Sequence, residues 1–315
     1  MPYLNEFSST NSPFDMTTTH EFSSLCQSAD DLGIQYSKKI SYFSRNIVAR
    51  HQRFHLLEWG SPSLPHLLLL HGGNQSAHSW DLVSLHLADR FHIIALDQRG
   101  HGDSEWARDA DYSSHAMASD ASSVLSELNI DSVTVLGHSM GGMNTLRLAM
   151  QDPHLLQRLV LVDIGPELSD AGTKSIRNFV TENREFEDLD AFIQNVQKYD
   201  PYRSKEHIER TVKYNLLQRA DGKFISKRDH GPRLATTQNQ RETSDRFSIE
   251  DTAEISQPTL VIRGADSNVL TSEAANRFVQ ALPHGELQTV PNSGHNVHGQ
   301  NTSGFLDVLV PFLMK

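Results

Sequence analysis

The residues of this chain best suited to covalent chemistry form the run Gly137-His138-Ser139-Met140-Gly141, a G-x-S-x-G pattern between an apolar stretch at 133–136 and a helical one at 143–150. In a strand, turn and helix setting the serine must occupy a sharp bend with its hydroxyl presented, and flanking glycines avoid collisions with neighbouring backbone. A serine hydroxyl is a poor nucleophile at neutral pH, so it needs a histidine to take its proton and a carboxylate to hold that histidine's tautomer. Of the 17 histidines, His295 in Asn292-Ser293-Gly294-His295 lies after the last strand pattern and before the last helical one, where such a base would be held. His298 and His284 compete with it. Attack on a carbonyl creates an oxyanion that needs two preorganised backbone N–H donors, each worth ~3 to 4 kcal/mol of barrier. The amide of Met140 is one candidate. Gly73, in His71-Gly72-Gly73-Asn74, is the other, with Asn74 as an auxiliary polar wall.

These residues need a scaffold that brings distant loops together. From Asn46 onward the pattern predicts a strand pair at 47–48 and 54–59, then short apolar runs at 66–70, 92–96, 133–136, 159–162, 259–262 and 286–290. Continuous apolar runs imply strands buried on both faces and hence a parallel sheet. Helical patterns lie between them at 80–88, 117–128, 143–150, 272–281 and 302–312. Repeated βαβ of this kind predicts a doubly wound α/β fold. The alternation stops at Gly165 and resumes near Pro258, with mainly helical patterns at 176–180, 189–196 and 208–217. An insertion there sits above the carboxyl ends of the strands, where ligands of such sheets bind. Residues 1–17 are polar enough to predict a flexible tail. Residues 18–45 predict a helix opened by a Thr18/Glu21 capping box and closed by Gly33, followed by a linker.

Composition narrows the function classes. Thirty-nine acidic against 28 basic residues give a net charge of −11 with histidines neutral, which disfavours nucleic acid as a partner. One cysteine, Cys26, excludes internal disulfides and cysteine-rich metal sites. The longest aliphatic run, 67–70, is far short of the ~18 residues a membrane helix needs. With no basic start and no apolar core in the first thirty residues, the expectation is a cytoplasmic protein without a targeting segment.

On the motifs His71-Gly72-Gly73, Asp97-Gln98-Arg99-Gly100-His101-Gly102-Asp103-Ser104, Gly137-His138-Ser139-Met140-Gly141 and Gly294-His295, the chain from 46 to 315 resembles the α/β-hydrolase superfamily, in its esterase, lactonase and C–C hydrolase branch. The resemblance implies a mostly parallel eight-stranded sheet flanked by helices. It places a helical cap, residues 165–257, between the sixth and seventh strands, with the core at 46–164 and 258–315. It also implies cofactor-independent chemistry and a structural role for the 97–104 loop.

The family usually carries its acid three residues beyond a glycine after the seventh strand. Here Gly264 is followed by Ala265, Asp266 and Ser267, so that slot holds serine and Asp266 comes one residue early. Asp163, at the end of the sixth strand, occupies a location some members use instead. The balance favours Asp163, with Asp266 as rival and Ser267 as a hydrogen-bonding neighbour of either.

Serine at the nucleophile position argues against haloalkane dehalogenase or epoxide hydrolase chemistry, which uses aspartate there. His66, His71, His78 and His86 are too scattered for a metal site, and His295 with His298 lacks clustered carboxylates. The expected function is cleavage of a small-molecule carboxylic ester or lactone through an acyl-enzyme on Ser139. C–C bond hydrolysis of β-diketones, cofactor-free oxygenation and ligand reception on the same fold are the alternatives. Phe179, Phe186, Phe192, Tyr199, Tyr202 and Phe224 either pack inside the inserted segment or line an acyl pocket. Lys174 and Arg177 are expected at its solvated surface.

Overall fold

The computed structural model describes residues 13–182, 185–230 and 247–315. Its large sheet is built from β1 (Phe14–Asp15), β2 (Tyr42–Ala49), β3 (Gln52–Trp59), β4 (His66–Leu70), β5 (His92–Leu96), β6 (Val133–His138), β7 (Leu156–Val162) and two later strands, Thr259–Gly264 and Gly285–Val290. Three short strands intervene between β7 and that pair: β8 (Glu185–Phe186), β9 (Leu216–Gln218) and β10 (Phe224–Ser226). The last two of the large sheet are therefore β11 and β12. The order across it is β1-β2-β3-β5-β4-β6-β7-β11-β12. The pairings from β5 through β4 to β12 are all parallel, whereas β1, β2 and β3 join antiparallel at one side.

Side-chain alternation assigns each face its helices. Leu67 and Leu69 pack with Trp59, Trp80 and Ile93 against α1 (His20–Asp31), α2 (Asp81–Leu87) and the C-terminal helix Thr302–Leu313. Leu68 and Leu70 point the other way, into a core shared with α3 (Ser114–Glu127), α4 (Met140–Gln151) and helix Ser272–Ala281. Both faces are covered, which is why the central strands read as unbroken apolar runs. The fold is that of the α/β hydrolases, with every loop of interest at the carboxyl edge of the parallel strands.

The structure differs from the sequence-based expectations in five places. Residues 14–15 are not tail but a strand on the edge of β2, registered Phe14 to Ser44 and Asp15 to Phe43. This strand also makes the sheet nine-stranded rather than eight-stranded. The cap of α1 is Thr19, whose hydroxyl accepts from the Phe22 N–H at 3.1 Å, one residue later than the Thr18/Glu21 box. Strand β2 begins at Tyr42, inside the supposed linker, because Tyr42 stacks on Trp59 across the pair with ring centroids 3.5 Å apart. Between β7 and β11 the segment is not purely helical. It holds α5 (Asp170–Glu182), α6 (Leu189–Tyr199), α7 (Lys205–Val212) and the antiparallel sheet β8-β10-β9. The single helix read at 208–217 therefore splits into the end of α7, a 3-10 turn and β9. Apolar residues there serve a small separate core of Phe186, Phe192, Ile193, Val196, Ile208, Val212 and Leu216, and spacing alone does not separate a helix stripe from a short buried strand.

Candidate active site

Strand β6 ends and α4 begins at Ser139, which has φ 51° and ψ −114°. A non-glycine residue in that region is strained by ~1 to 3 kcal/mol. The bend is held by close backbone approach. A β-carbon on Gly137 would lie 2.3 Å from Thr145 Oγ1, and one on Gly141 would lie 2.2 Å from the Leu70 carbonyl oxygen. The α4 helix thus sits against the end of β4 only because position 141 has no side chain.

His295, in the loop after β12, reaches Ser139 from the far side of the sheet. Its Nε2 accepts from Ser139 Oγ at 2.9 Å, and its Nδ1 donates to Asp163 Oδ2 at 2.8 Å. Asp163 follows β7 with φ 51° and is fully buried. Its Oδ1 accepts from the Gly264 N–H at 3.2 Å, and its Oδ2 also accepts from the Ser267 hydroxyl. Asp266, the rival, is not in this chain of contacts. It is exposed and accepts from the Tyr202 hydroxyl at 3.0 Å. Ser267, in the slot where the family usually has its acid, instead donates to the carboxylate delivered by the neighbouring strand.

Met140 opens α4, so its N–H has no earlier carbonyl to receive it. Gly73 and Asn74 both line the cavity above Ser139. Gly73 keeps ordinary backbone geometry, and a β-carbon there would meet nothing within 4 Å, so glycine leaves room rather than permitting a special turn. The left-handed position is Asn74, φ 64°, whose side-chain oxygen accepts from Ser226 Oγ at 2.8 Å. Asn74 therefore ties this loop to β10 as well as walling the cavity.

Two residues of the site were missed by sequence reasoning. His138 Nε2 donates to the His295 carbonyl at 2.9 Å, linking the turn before the serine to the base loop. Burial, then the nearby His295 and His298, hold this imidazole well below its usual value. Gln75 accepts the Gly72 N–H at 2.9 Å. The position of His138 inside the serine motif was the available signal; Gln75 left none. Of the base's competitors, His284 is exposed before β12, and His298 is buried and stacked on Trp80.

The cavity has a volume of about 1050 Å3 and includes Ser139, His295 and residues of the segment between β7 and β11. Phe179, Phe192, Tyr199 and Tyr202 line it, whereas Phe186 and Phe224 do not. Arg177 lines it too, and Lys174 does not.

The 97–104 loop is a buried brace beside the site. Asp97 accepts from Ala77 N–H at 2.6 Å, Asp103 N–H at 2.8 Å and His55 Nδ1 at 2.7 Å. Burial opposes the charge on Asp97, but His55, with help from His71 and the Ala77 N–H, outweighs it and holds the carboxyl well below the usual range. Burial likewise opposes protonation of His55, and Asp97 more than offsets it, raising His55 above 6.5. The depressed carboxyl contributes stability above the usual carboxylate range and loses it as pH falls. The raised imidazole contributes fully below 6.5 and loses it as pH rises through its folded value. Thermal unfolding followed across pH should therefore show a loss on both sides of the interval from about 4 to 6.5. Asp97→Asn should flatten both arms and cost ~3 to 5 kcal/mol, as breaking a buried pair does. Among the described residues, His55, Asp97 and Asp103 are the group whose ligand atoms lie close enough for a metal ion, but those of Asp97 and His55 are engaged with one another and Asp103 pairs with Lys227.

Comparison with known proteins agrees with this fold. The family model of the α/β hydrolase fold matches residues 65–302, more than half of the chain. The chain belongs to the α/β-hydrolase fold family and is an enzyme of that class. It is 27% identical over 305 residues to Esterase Rv0045c of Mycobacterium tuberculosis, covering 94% of this chain and 96% of that protein. The crystal structure of that esterase superposes with a TM-score of 0.74 at 26% identity, covering 95% of this chain and all of the other. The sn-1-specific diacylglycerol lipase ABHD11 of Mus musculus is 29% identical over 282 residues, 82% of this chain and 84% of that protein. Among the described residues no helix is long and apolar enough to cross a membrane.

Proposed function

We propose that this chain is a serine hydrolase that cleaves a small-molecule carboxylic ester or lactone through an acyl-enzyme on Ser139. The observation that carries the reading is the unbroken contact from Ser139 Oγ through both ring nitrogens of His295 to Asp163. His295 takes the serine proton as the hydroxyl attacks the carbonyl, then returns it to the leaving alcohol. Asp163 holds the Nδ1–H tautomer and stabilises the imidazolium, and it is the acid of choice over Asp266. The amides of Met140 and Gly73 receive the oxyanion. His138 and Gln75 are positioning residues that hold the base loop and the Gly72–Gly73 turn. In this reading residues 165–257, of which 183–184 and 231–246 lie outside the described residues, include a cap that roofs the cavity and sets specificity. The esterase and lipase among the relatives favour ester cleavage over C–C hydrolysis, oxygenation or reception.

The test is covalent. A fluorophosphonate probe is expected to label the enzyme once, and peptide mass analysis should place the phosphonyl group on Ser139. Labelling elsewhere, or none with a folded protein, would overturn the reading.

A further inference from the structure

One wall of the cavity is made by the turn before α7 and by α7 itself, and it carries two arginines, Arg203 partly buried and Arg210 buried. Arg203 donates from Nε to Asp200 Oδ2 at 2.7 Å and from Nη1 to Thr211 Oγ1 at 3.3 Å. Arg210 is 6% exposed and donates from Nη1 to Asp81 Oδ2 at 3.1 Å, while its buried Nε has no partner. Each guanidinium has five N–H donors. Each is committed on one edge to a single aspartate, and among the described residues Nη2 of neither donates to protein. Both residues line the cavity that contains Ser139.

Arg177, Lys198, Arg203, Arg210 and Arg228 line the cavity against Asp200, Asp229 and Asp266, an excess of cations in a chain that carries −11. Two imidazoles that line it lie close enough to feel these arginines. His207 is held down to about 3, first by burial and then by Arg210 and Arg203. His298 is likewise held down to about 3, by burial and then by Arg203 and His295. Positive lining in a low-dielectric cleft of an acidic protein concentrates anions there. Each arginine commits one edge to an aspartate and keeps N–H donors beyond it, which a single carboxylate can occupy. The planar fork of a guanidinium matches a carboxylate.

We propose that the Arg203 and Arg210 wall is a subsite for a carboxylate carried by the substrate, so that the preferred esters are monoanionic, such as half-esters of short dicarboxylic acids. This deepens the ester-hydrolase reading and rests on it. The chemistry of hydrolysis is unchanged; the subsite orients the substrate and adds affinity.

The test compares mono-4-nitrophenyl succinate, glutarate and adipate with the methyl diester of each. One chain length should be preferred over its diester by ~10- to 100-fold in kcat/KM, expressed in KM, as hydrogen bonds to a charged group would give. The preference should shrink with added salt. In Arg203→Gln it should collapse, and in Arg203→Lys it should partly return. The ratio is taken within each preparation, so partial loss of folded enzyme cancels. A ratio near one at every length, with both esters turned over, would sink the subsite and leave the hydrolase reading standing. If neither ester is turned over, the hydrolase reading fails, and calorimetric titration of the unmodified protein with glutarate still decides the subsite: saturable binding supports it, and none refutes it. Inorganic phosphate binding as tightly as glutarate would overturn the match to a carboxylate.

Discussion

Turnover of 4-nitrophenyl butyrate by the Ser139→Ala variant is expected to fall by ~10⁴ to 10⁶ relative to the unmodified enzyme, because the members of such a relay act as a unit. The residual rate should still exceed that of water, since the proposed oxyanion donors at Met140 and Gly73 and the cavity are untouched. The Ser139 hydroxyl donates to His295, and its loss removes that hydrogen bond alone. The melting temperature should stay within a few degrees, so lost activity can be separated from lost fold. A variant that kept more than about a tenth of the rate would show that another group attacks the ester.

The second large effect separates the two carboxylates. Every partner of the Asp163 carboxylate is a donor: the Gly264 N–H, the Ser267 hydroxyl and His295 Nδ1–H. An asparagine there must turn its NH2 towards a donor whichever way it is placed. If it faces His295 the imidazole is driven to the wrong tautomer, and kcat should drop ~10⁴. If it faces Gly264 it leaves a buried N–H unsatisfied, at ~1 to 3 kcal/mol in stability. Asp266→Asn removes a charge from an exposed side chain that accepts from Tyr202 and should change kcat less than about twofold. Steady-state kinetics on both variants, with melting temperatures alongside, decide the assignment. A large loss at 266 and a small one at 163 would reverse it.

Much of this arrangement was legible in the chain before its structure. The serine turn announced itself because an apolar strand, two glycines and a helical stripe agree, and the sheet announced itself because strands buried on both faces, such as Leu67–Leu70, lose the polar alternation of exposed ones. The acid stayed open because proximity across β7 and β11 is a property of pairing, not of local pattern. Asp163 and Gly264 are 101 positions apart and become neighbours only when Ile262 registers with Val162. The small β8-β10-β9 sheet stayed hidden for a related reason, since strands of two or three residues are too short to show a period. The arginine wall was illegible as a site because charge on an amphipathic helix ordinarily faces solvent, and only the packing of α7 against Asp81 shows that Arg210 does not.

The hydroxyl of Ser267 and the carboxylate of Asp163 come from adjacent strands yet meet at one point. An imidazole senses where a negative charge lies, not which stretch of polymer delivers it. Two addresses remote along the chain are thus a single electrostatic location, and the base loop can be served from either strand without itself changing place.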